Sequence, residues 1–357
     1  MLRRRGIFKA GNSEHKLQAA YCLLLSAFYG GFVMDRILVT GGAGFIGSHL
    51  CERLLRTGKS VVVVDVLDDF YDPRLKRANL EALRAAGDFE FYPVDVRDSS
   101  RLEEVFEKTR PEAVVHLAAR AGVRASVLYP ALYASVNIDG TLCLLELSRK
   151  YQVSQFVFAS SSSVYGQYNR VPFSEEDSIG RPLSVYSATK AAGEMLAFTY
   201  SHVYSLPVIC LRIFTVFGPR QRPDLAIHKF AQLIEEGKEL PVFGDGSMSR
   251  DYTYVSDAVA AIEQALASSY QFEIFNLGSS RPIRLDYMIG VLENALGKTA
   301  MRNYQPAGPV EMATTFASLD KSRKLLGYSP QVSFEEGIRL FVKWFRGQGR
   351  RNAGIGE

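Results

Sequence analysis

Cysteine is scarce: the 357 residues hold four, and none of them falls in a pairing pattern. Cys22, Cys51, Cys143 and Cys210 show neither metal-ligand nor disulfide spacing, so no metal centre and no stapled secreted scaffold is expected. Cys51 and Cys143 lie in apolar helical patterns and read as reduced core thiols of a cytoplasmic protein. A block of one charge sign is also missing. The net charge of +4 is mild and scattered, so nucleic acid is not demanded. An anionic small molecule met by a few placed arginines fits better. There is no internal repeat and no low-complexity tract. The length suits one large domain or two intimate ones.

Long apolar runs are nearly absent too. The exception is the charge-free stretch from Leu17 to Val33, preceded by Arg3-Arg4-Arg5. That pattern is similar to a signal peptide or a short anchor. It is short for a membrane span, contains Gly30-Gly31 and lacks a clear cleavage site. Met34-Asp35-Arg36-Ile37 reads as a natural start just before the first strand. Residues 1–33 are therefore expected to be a disordered extension or a mis-set start, with no membrane partner.

From there the chain alternates strand and helix. Ile37 to Thr40 is an apolar run ending in glycines, a helical pattern runs from Phe45 to Thr57, and Val61 to Asp65 is a second strand. Further strands are expected at Phe89–Val94, Ala113–Leu117, Phe156–Ser160 and Pro207–Arg212, with long helices near Val136–Tyr151 and Ser187–Tyr204. This is the rhythm of an α/β doubly wound parallel sheet. After Gly218-Pro219 the elements shorten, which suggests a smaller C-terminal α/β lobe closing over a substrate. The expected division is 34–215 for dinucleotide binding, 216–346 for the substrate and partly interleaved with the first, and 347–357 as a flexible tail.

Gly41-Gly42-Ala43-Gly44-Phe45-Ile46-Gly47 follows the first strand and opens a helix. In that context Gly41 permits the tight turn, Gly44 lets backbone approach a pyrophosphate, and Gly47 lets helix and strand pack closely. Asp65 ends the next strand, where a carboxylate binds ribose hydroxyls and repels a 2′-phosphate. NAD is favoured over NADP.

Tyr186 and Lys190 stand four apart in a helical pattern and share a face. A nearby ammonium favours phenolate, so this tyrosine is expected to have a lowered pKa and to take a proton from an alcohol. The serine run Ser160-Ser161-Ser162-Ser163 ends a strand, where ligands bind in open α/β sheets. A serine there can bond the same substrate oxygen. Beside a nicotinamide, the chemistry is alcohol-to-ketone oxidation.

These motifs occur in one order, and the chain from Met34 to about Trp344 resembles the extended short-chain dehydrogenases/reductases, the nucleotide-sugar epimerases and dehydratases. The matching residues are Thr40 to Gly47, Asp65, Asp95-Val96, His116 to Ala119, Asn137, Ser161, Tyr186, Lys190 and Arg250-Asp251-Tyr252. The resemblance implies a Ser161–Tyr186–Lys190 triad. It places Asp95, Val96, Leu117, Ala118, Ala119 and Asn137 along the cofactor, and suggests a homodimer through the two long helices. Dehydratases and decarboxylases of the family carry an acid just before Val-Tyr-Gly; here Ser162 and Ser163 stand there. Simple 4-epimerisation of a UDP-sugar is implied.

The segments Tyr71–Lys76, Ala121–Ser126 and Arg212–Pro219 and the serine run resemble those of UDP-glucuronate 4-epimerases. Ser162 and Ser163 could hydrogen-bond a carboxylate. Thr215 replaces an asparagine common in UDP-glucose epimerases. Arg222 and Arg250 are candidates for the diphosphate, because guanidinium forks suit it. Arg124 is a weaker candidate that could equally be a surface ion pair. UDP-glucuronate is the expected substrate; UDP-glucose or UDP-N-acetylglucosamine epimerisation and a non-catalytic dinucleotide sensor are the alternatives. Val66, Gly308, Glu311 and Ser318 depart from the family pattern.

Overall fold

In the computed structural model, the apolar run after Asp35 forms β1 (Arg36–Thr40), buried from Ile37 onward. The structure describes residues 34–166, 170–306 and 312–353, without the side chains of 348–353. The extension 1–33 and the departures at Gly308 and Glu311 lie outside the described residues. The chain continues through α1 (Phe45–Arg56), β2 (Ser60–Val64), α2 (Pro73–Arg84), β3 (Glu90–Tyr92), α3 (Ser99–Thr109) and β4 (Ala113–His116). Then follow two short helices, Val123–Leu128 and Pro130–Ala134, a π-turn at Ser135–Asp139, and α4 (Gly140–Lys150). Next come β5 (Gln155–Ser161), α5 (Val185–Tyr204) and β6 (Val208–Ile213).

These strands form one parallel sheet, because their β-branched and aromatic runs are buried on both faces by helices. The order is β3-β2-β1-β4-β5-β6, with a seventh strand, β10 (Phe272–Leu277), beside β6. Every pairing is parallel. The order reverses between β1 and β4, where a crevice opens at the carboxyl ends of the strands. Helix α1 shows why the local sequence folds as it does: Phe45, Leu50, Cys51, Leu54 and Leu55 form its buried stripe.

The C-terminal lobe adds β7 (Thr215–Phe217), α6 (Ala226–Glu235), β8 (Glu239–Phe243), β9 (Ser249–Tyr254) and α7 (Val255–Leu266) before β10. After it come β11 (Pro282–Arg284), α8 (Leu285–Leu296), β12 (Met301–Gln305), β13 (Thr314–Thr315) and α9 (Phe334–Ala353). β9 is the hub of a small mixed sheet, pairing with β7, β11 and β13.

Two expectations change. The seventh strand went unnoticed in the sequence because its apolar positions are broken by Glu273 and Asn276, both engaged in tertiary contacts. The flexible tail expected from 347 instead begins as helix, since α9 runs to Ala353. Phe341, Trp344 and Phe345 pack on His228, and Arg346 bonds Glu235, which anchors the helix up to that point.

Candidate active site

The glycine turn after β1 is shaped by close approach. Gly41 takes φ +70°, and a Cβ there would lie 2.8 Å from the Ala118 nitrogen. A Cβ on Gly47 would sit 2.2 Å from the Gly41 carbonyl, so the helix packs on the turn itself as well as on the strand. Gly44 is less crowded, its nearest neighbour being the Gly41 oxygen at 3.1 Å. The first backbone N–H groups of α1, those of Phe45 and Ile46 among them, have no intrahelical acceptor and form an anion site. Asp65 follows β2, nearly buried, and accepts from the Ala43 nitrogen at 3.2 Å and the Leu67 nitrogen at 2.9 Å. Burial pushes its carboxyl up, against those two hydrogen bonds and the charge of Lys76.

A fully buried polar chain braces this crevice. Thr141 donates to the Asn137 carbonyl at 2.6 Å, so its oxygen accepts from His116 Nε2–H at 3.0 Å. His116 Nδ1 then accepts from Thr40 Oγ1–H at 2.8 Å, and Thr40 accepts from the Ala118 nitrogen. The imidazole must be neutral for this chain to close. Burial drives its pKa down to about 3, helped by the Lys190 charge. Asn137 lies in the π-turn and bonds the Arg120 backbone on both its polar atoms, and Thr189 Oγ1 at 2.9 Å. It thereby ties the loop after β4, with Leu117 to Ala119, to the first turns of α5. Val96 is buried and fills the space over Gly140, where a Cβ would lie 2.6 Å from its methyl. Asp95 is held by Arg97 Nη2 at 2.6 Å, which keeps its carboxyl low.

Ser161 is the last residue of β5. It accepts from the Ser163 nitrogen at 3.2 Å and the Ser163 hydroxyl at 3.0 Å, and its hydroxyl is placed to favour the Tyr186 phenolate. Ser184 caps α5, which presents Tyr186 and Lys190 on one face. A Cβ on Gly193 would lie 2.4 Å from the Phe158 ring, so only glycine lets α5 sit this close to β5. That approach brings Lys190 Nζ within 2.7 Å of the Ala159 carbonyl.

The lowered tyrosine pKa expected from the sequence is not what this arrangement gives. Burial pushes the Tyr186 phenol up; the opposing pulls come first from Ser161 and then from Arg222. Lys190 itself is brought down to about 8 by burial, against the charge of Glu194. The ammonium spends its reach on the Ala159 carbonyl, and a serine and an arginine face the phenol instead.

Arg222 lies close enough to the phenol for its charge to act on it. It pairs with Asp224 at 2.7 Å and lies 5.1 Å over the Phe70 ring. Arg124 stacks 4.3 Å over Phe243 of β8, and Arg250 donates to the Met312 carbonyl at 2.7 Å. Both belong to contacts with the C-terminal lobe. Thr215 opens β7, partly buried. Ser162 is partly buried beside the triad. Val66 is 46% exposed.

The profile of the NAD dependent epimerase/dehydratase family matches residues 37–278. The chain belongs to that family. It is 43% identical to the UDP-glucuronate 4-epimerase of Thermodesulfobacterium geofontis over 312 residues, covering 87% of this chain and 96% of that one. It superposes on the UDP-glucuronic acid 4-epimerase of Bacillus cereus in complex with UDP-glucuronic acid and NAD with a TM-score of 0.83. That match has 36% identity and covers 88% and 99% of the two chains. The UDP-glucose 4-epimerase of Thermotoga maritima, solved with UDP-glucose, gives a TM-score of 0.81 at 36% identity, covering 88% and 99%.

The glycine turn, the open helix start and the remaining lone pairs of Asp65 fit the pyrophosphate and ribose of the family's dinucleotide. Sequence reasoning missed three residues around Ser161, Tyr186 and Lys190 of this epimerase-family chain. Tyr133 meets Tyr186 edge-on at 6.4 Å. Glu194 and Arg212, each about 3% exposed, form a forked ion pair under β5, which Ser160 joins through its hydroxyl. Glu194 lies four residues after Lys190, so its shared face was legible; its partner on β6 was not.

Proposed function

We propose that the protein is an NAD-dependent 4-epimerase that converts UDP-glucuronate to UDP-galacturonate. The observation that carries this reading is the serine run at the end of β5, Ser161 bonded to Ser163 and acting on the Tyr186 phenol, with hydroxyls where an acid would be needed for elimination. Tyr186 takes the proton of the 4-hydroxyl, and Ser161 shares the same oxygen. NAD, which the glycine turn, the start of α1 and Asp65 would hold, would supply the hydride acceptor and donor for C4, with the sugar presenting its opposite face for the return. Tyr186 returns the proton to the 4-oxygen. Lys190, anchored on the Ala159 carbonyl, holds α5 and with it Tyr186 against the end of β5, while Ser161 and Arg222 favour the phenolate that forms between these steps. Arg222, whose charge acts on the phenol, serves the anionic end of the substrate.

A uronate poses a problem, because its 4-keto form is a β-keto acid that loses carbon dioxide readily. Ser162 and Ser163 hold the carboxylate in a plane unsuited to that loss. The likeness to the T. geofontis and B. cereus enzymes supports this substrate. The likeness to the T. maritima UDP-glucose epimerase favours a second reading, epimerisation of an uncharged hexose. The test incubates purified protein with UDP-glucuronate, UDP-glucose and UDP-N-acetylglucosamine, with and without added NAD. Preference for UDP-glucuronate is expected; equal turnover of the neutral sugars overturns it. In the same assay S162A/S163A should raise the pentose product relative to the epimer, and an unchanged ratio would refute the role of the serines.

The homodimer reading rests on α4 and α5, which carry Leu142, Met195, Phe198, Val203 and Tyr204 with exposures of 38–58%. A second copy would cover that face; sedimentation of F198E/V203E should then shift toward monomer. Among the described residues no helix is long and apolar enough to cross a membrane, and we place the enzyme in the cytoplasm with its dinucleotide.

A further inference from the structure

Four charged side chains meet behind the ribose-binding end of the crevice. Lys76 of α2 is 6% exposed, an unusual burial for a lysine. Its ammonium pairs with the Asp68 carboxylate and also donates to the Asp68 carbonyl at 3.1 Å. Arg120 reaches the other oxygen of the same carboxylate, Nη2 to Oδ2 at 3.1 Å. A single aspartate thus occupies two cations. Aromatic rings hold both in place: Lys76 Nζ lies 4.9 Å from the centre of Tyr71, and Arg120 Cζ 5.2 Å from that of Phe70. The backbone of Arg120 is pinned by Asn137. Asn79, one turn after Lys76 on α2, donates to the carbonyl of Ala43, whose N–H is held by Asp65; the clamp thus lies beside Asp65, and the charges of Lys76 and Asp68 both act on it.

We propose that Asp68 is a specificity-determining residue: by clamping Lys76 and Arg120 it withholds from a dinucleotide 2′-phosphate the two cations that would otherwise bind it. The inference rests on the dinucleotide reading of the crevice and deepens it. Asp65 supplies repulsion at the ribose, but a carboxylate flanked by a free lysine and a free arginine would be a poor barrier. A phosphate dianion is a better partner for two guanidinium or ammonium groups than for none. With Asp68 in place the four charges cancel, and both cations already have a short carboxylate contact. With Asp68 neutral, only Asp65 is left to answer Lys76, and a 2′-phosphate beside it would meet two cations without their clamp. Selectivity then has two sources, a repelling group and a sequestering one.

The test incubates the purified protein with equimolar NAD and NADP, removes free nucleotide, and quantifies the bound dinucleotide by chromatography after acid release. Wild type should retain NAD. D68N should raise the bound NADP share at least tenfold, D68N/K76M should give a smaller rise, and D68N/K76M/R120Q should return to the wild-type share. D68N leaves a buried lysine without its carboxylate; should it not fold, the double and triple variants still decide, since only the double keeps a freed cation. NAD retained throughout with an NADP share that does not follow this order would overturn the clamp alone. A wild type that retains neither dinucleotide would overturn the dinucleotide reading and the clamp with it.

Discussion

The dinucleotide-binding region and the C-terminal lobe solve the same problem, holding buried polar groups, in different ways. Around the crevice, the partners are supplied by short motifs already adjacent in the sheet: Thr40 and His116 end neighbouring strands, paired in register. In the C-terminal lobe a single carboxylate does the gathering. Asp251, fully buried in β9, accepts from the Ser279 nitrogen and hydroxyl, both at 2.6 Å, and from the Ser280 and Ala317 nitrogens, both at 3.0 Å. Asn276 similarly collects Tyr165, Phe173 and Ser318 from distant segments. The crevice is a local design repeated along a sheet. The C-terminal lobe is held by long-range clasps.

The largest expected effect belongs to the crevice. Y186F should lower kcat about 1000-fold, the middle of the range for a lost acid–base group, while bound NAD and thermal stability stay as in wild type. A comparable loss of bound NAD would mean that the tyrosine is structural. Next comes the buried pair beneath β5. E194Q strands Arg212 without its countercharge and should cost about 3–5 kcal/mol of unfolding free energy, whereas E194L/R212M should recover most of it. If the single and double variants are equally unstable, volume and not charge is what the pair provides.

D251N tests the clasp. It keeps one acceptor but turns an amide toward converging N–H groups, so about 2–3 kcal/mol should be lost in urea unfolding, with Tyr186 chemistry intact in the fraction that folds. Loss of kcat out of proportion to loss of folded protein would show the two regions to be more tightly coupled than the comparison allows. The smallest effect is pH-dependent. His116 has a folded pKa depressed to about 3 from an ordinary 6.5. Its contribution is therefore fully present above pH 6.5 and is lost as pH falls toward 3. By pH 5.5 that amounts to about 1.4 kcal/mol, read as the difference in pH dependence between wild type and H116N. Parallel curves would mean that the imidazole is not held neutral. Asp251 has the opposite sign: its carboxyl is raised by burial, so its contribution fades as pH rises.

Much of the site was legible in the sequence for a physical reason. Gly41, Gly44 and Gly47 act through backbone geometry, which the spacing alone dictates, and Tyr186 and Lys190 share a helix face by periodicity. The family match and the parallel sheet agree with the fold and family read from these motifs. What was illegible had no local signature. The strand Phe272–Leu277 carries Glu273 and Asn276 because both are satisfied by remote groups, Lys321 and Glu175 among them. Periodicity cannot register such partners.

The sequence by itself determined the alternation of strands and helices, the glycine turn and the placing of a serine, a tyrosine and a lysine at one end of the sheet, because each follows from residue spacing. Tertiary structure decided the electrostatics. It put Lys190 on the Ala159 carbonyl, set Ser161 and Arg222 against the phenol, and gathered Lys76 and Arg120 onto Asp68. Charges and burial depend on what folds beside a residue, and for Lys190 and Ala159 that neighbour is 31 residues away, about 100 Å of extended chain.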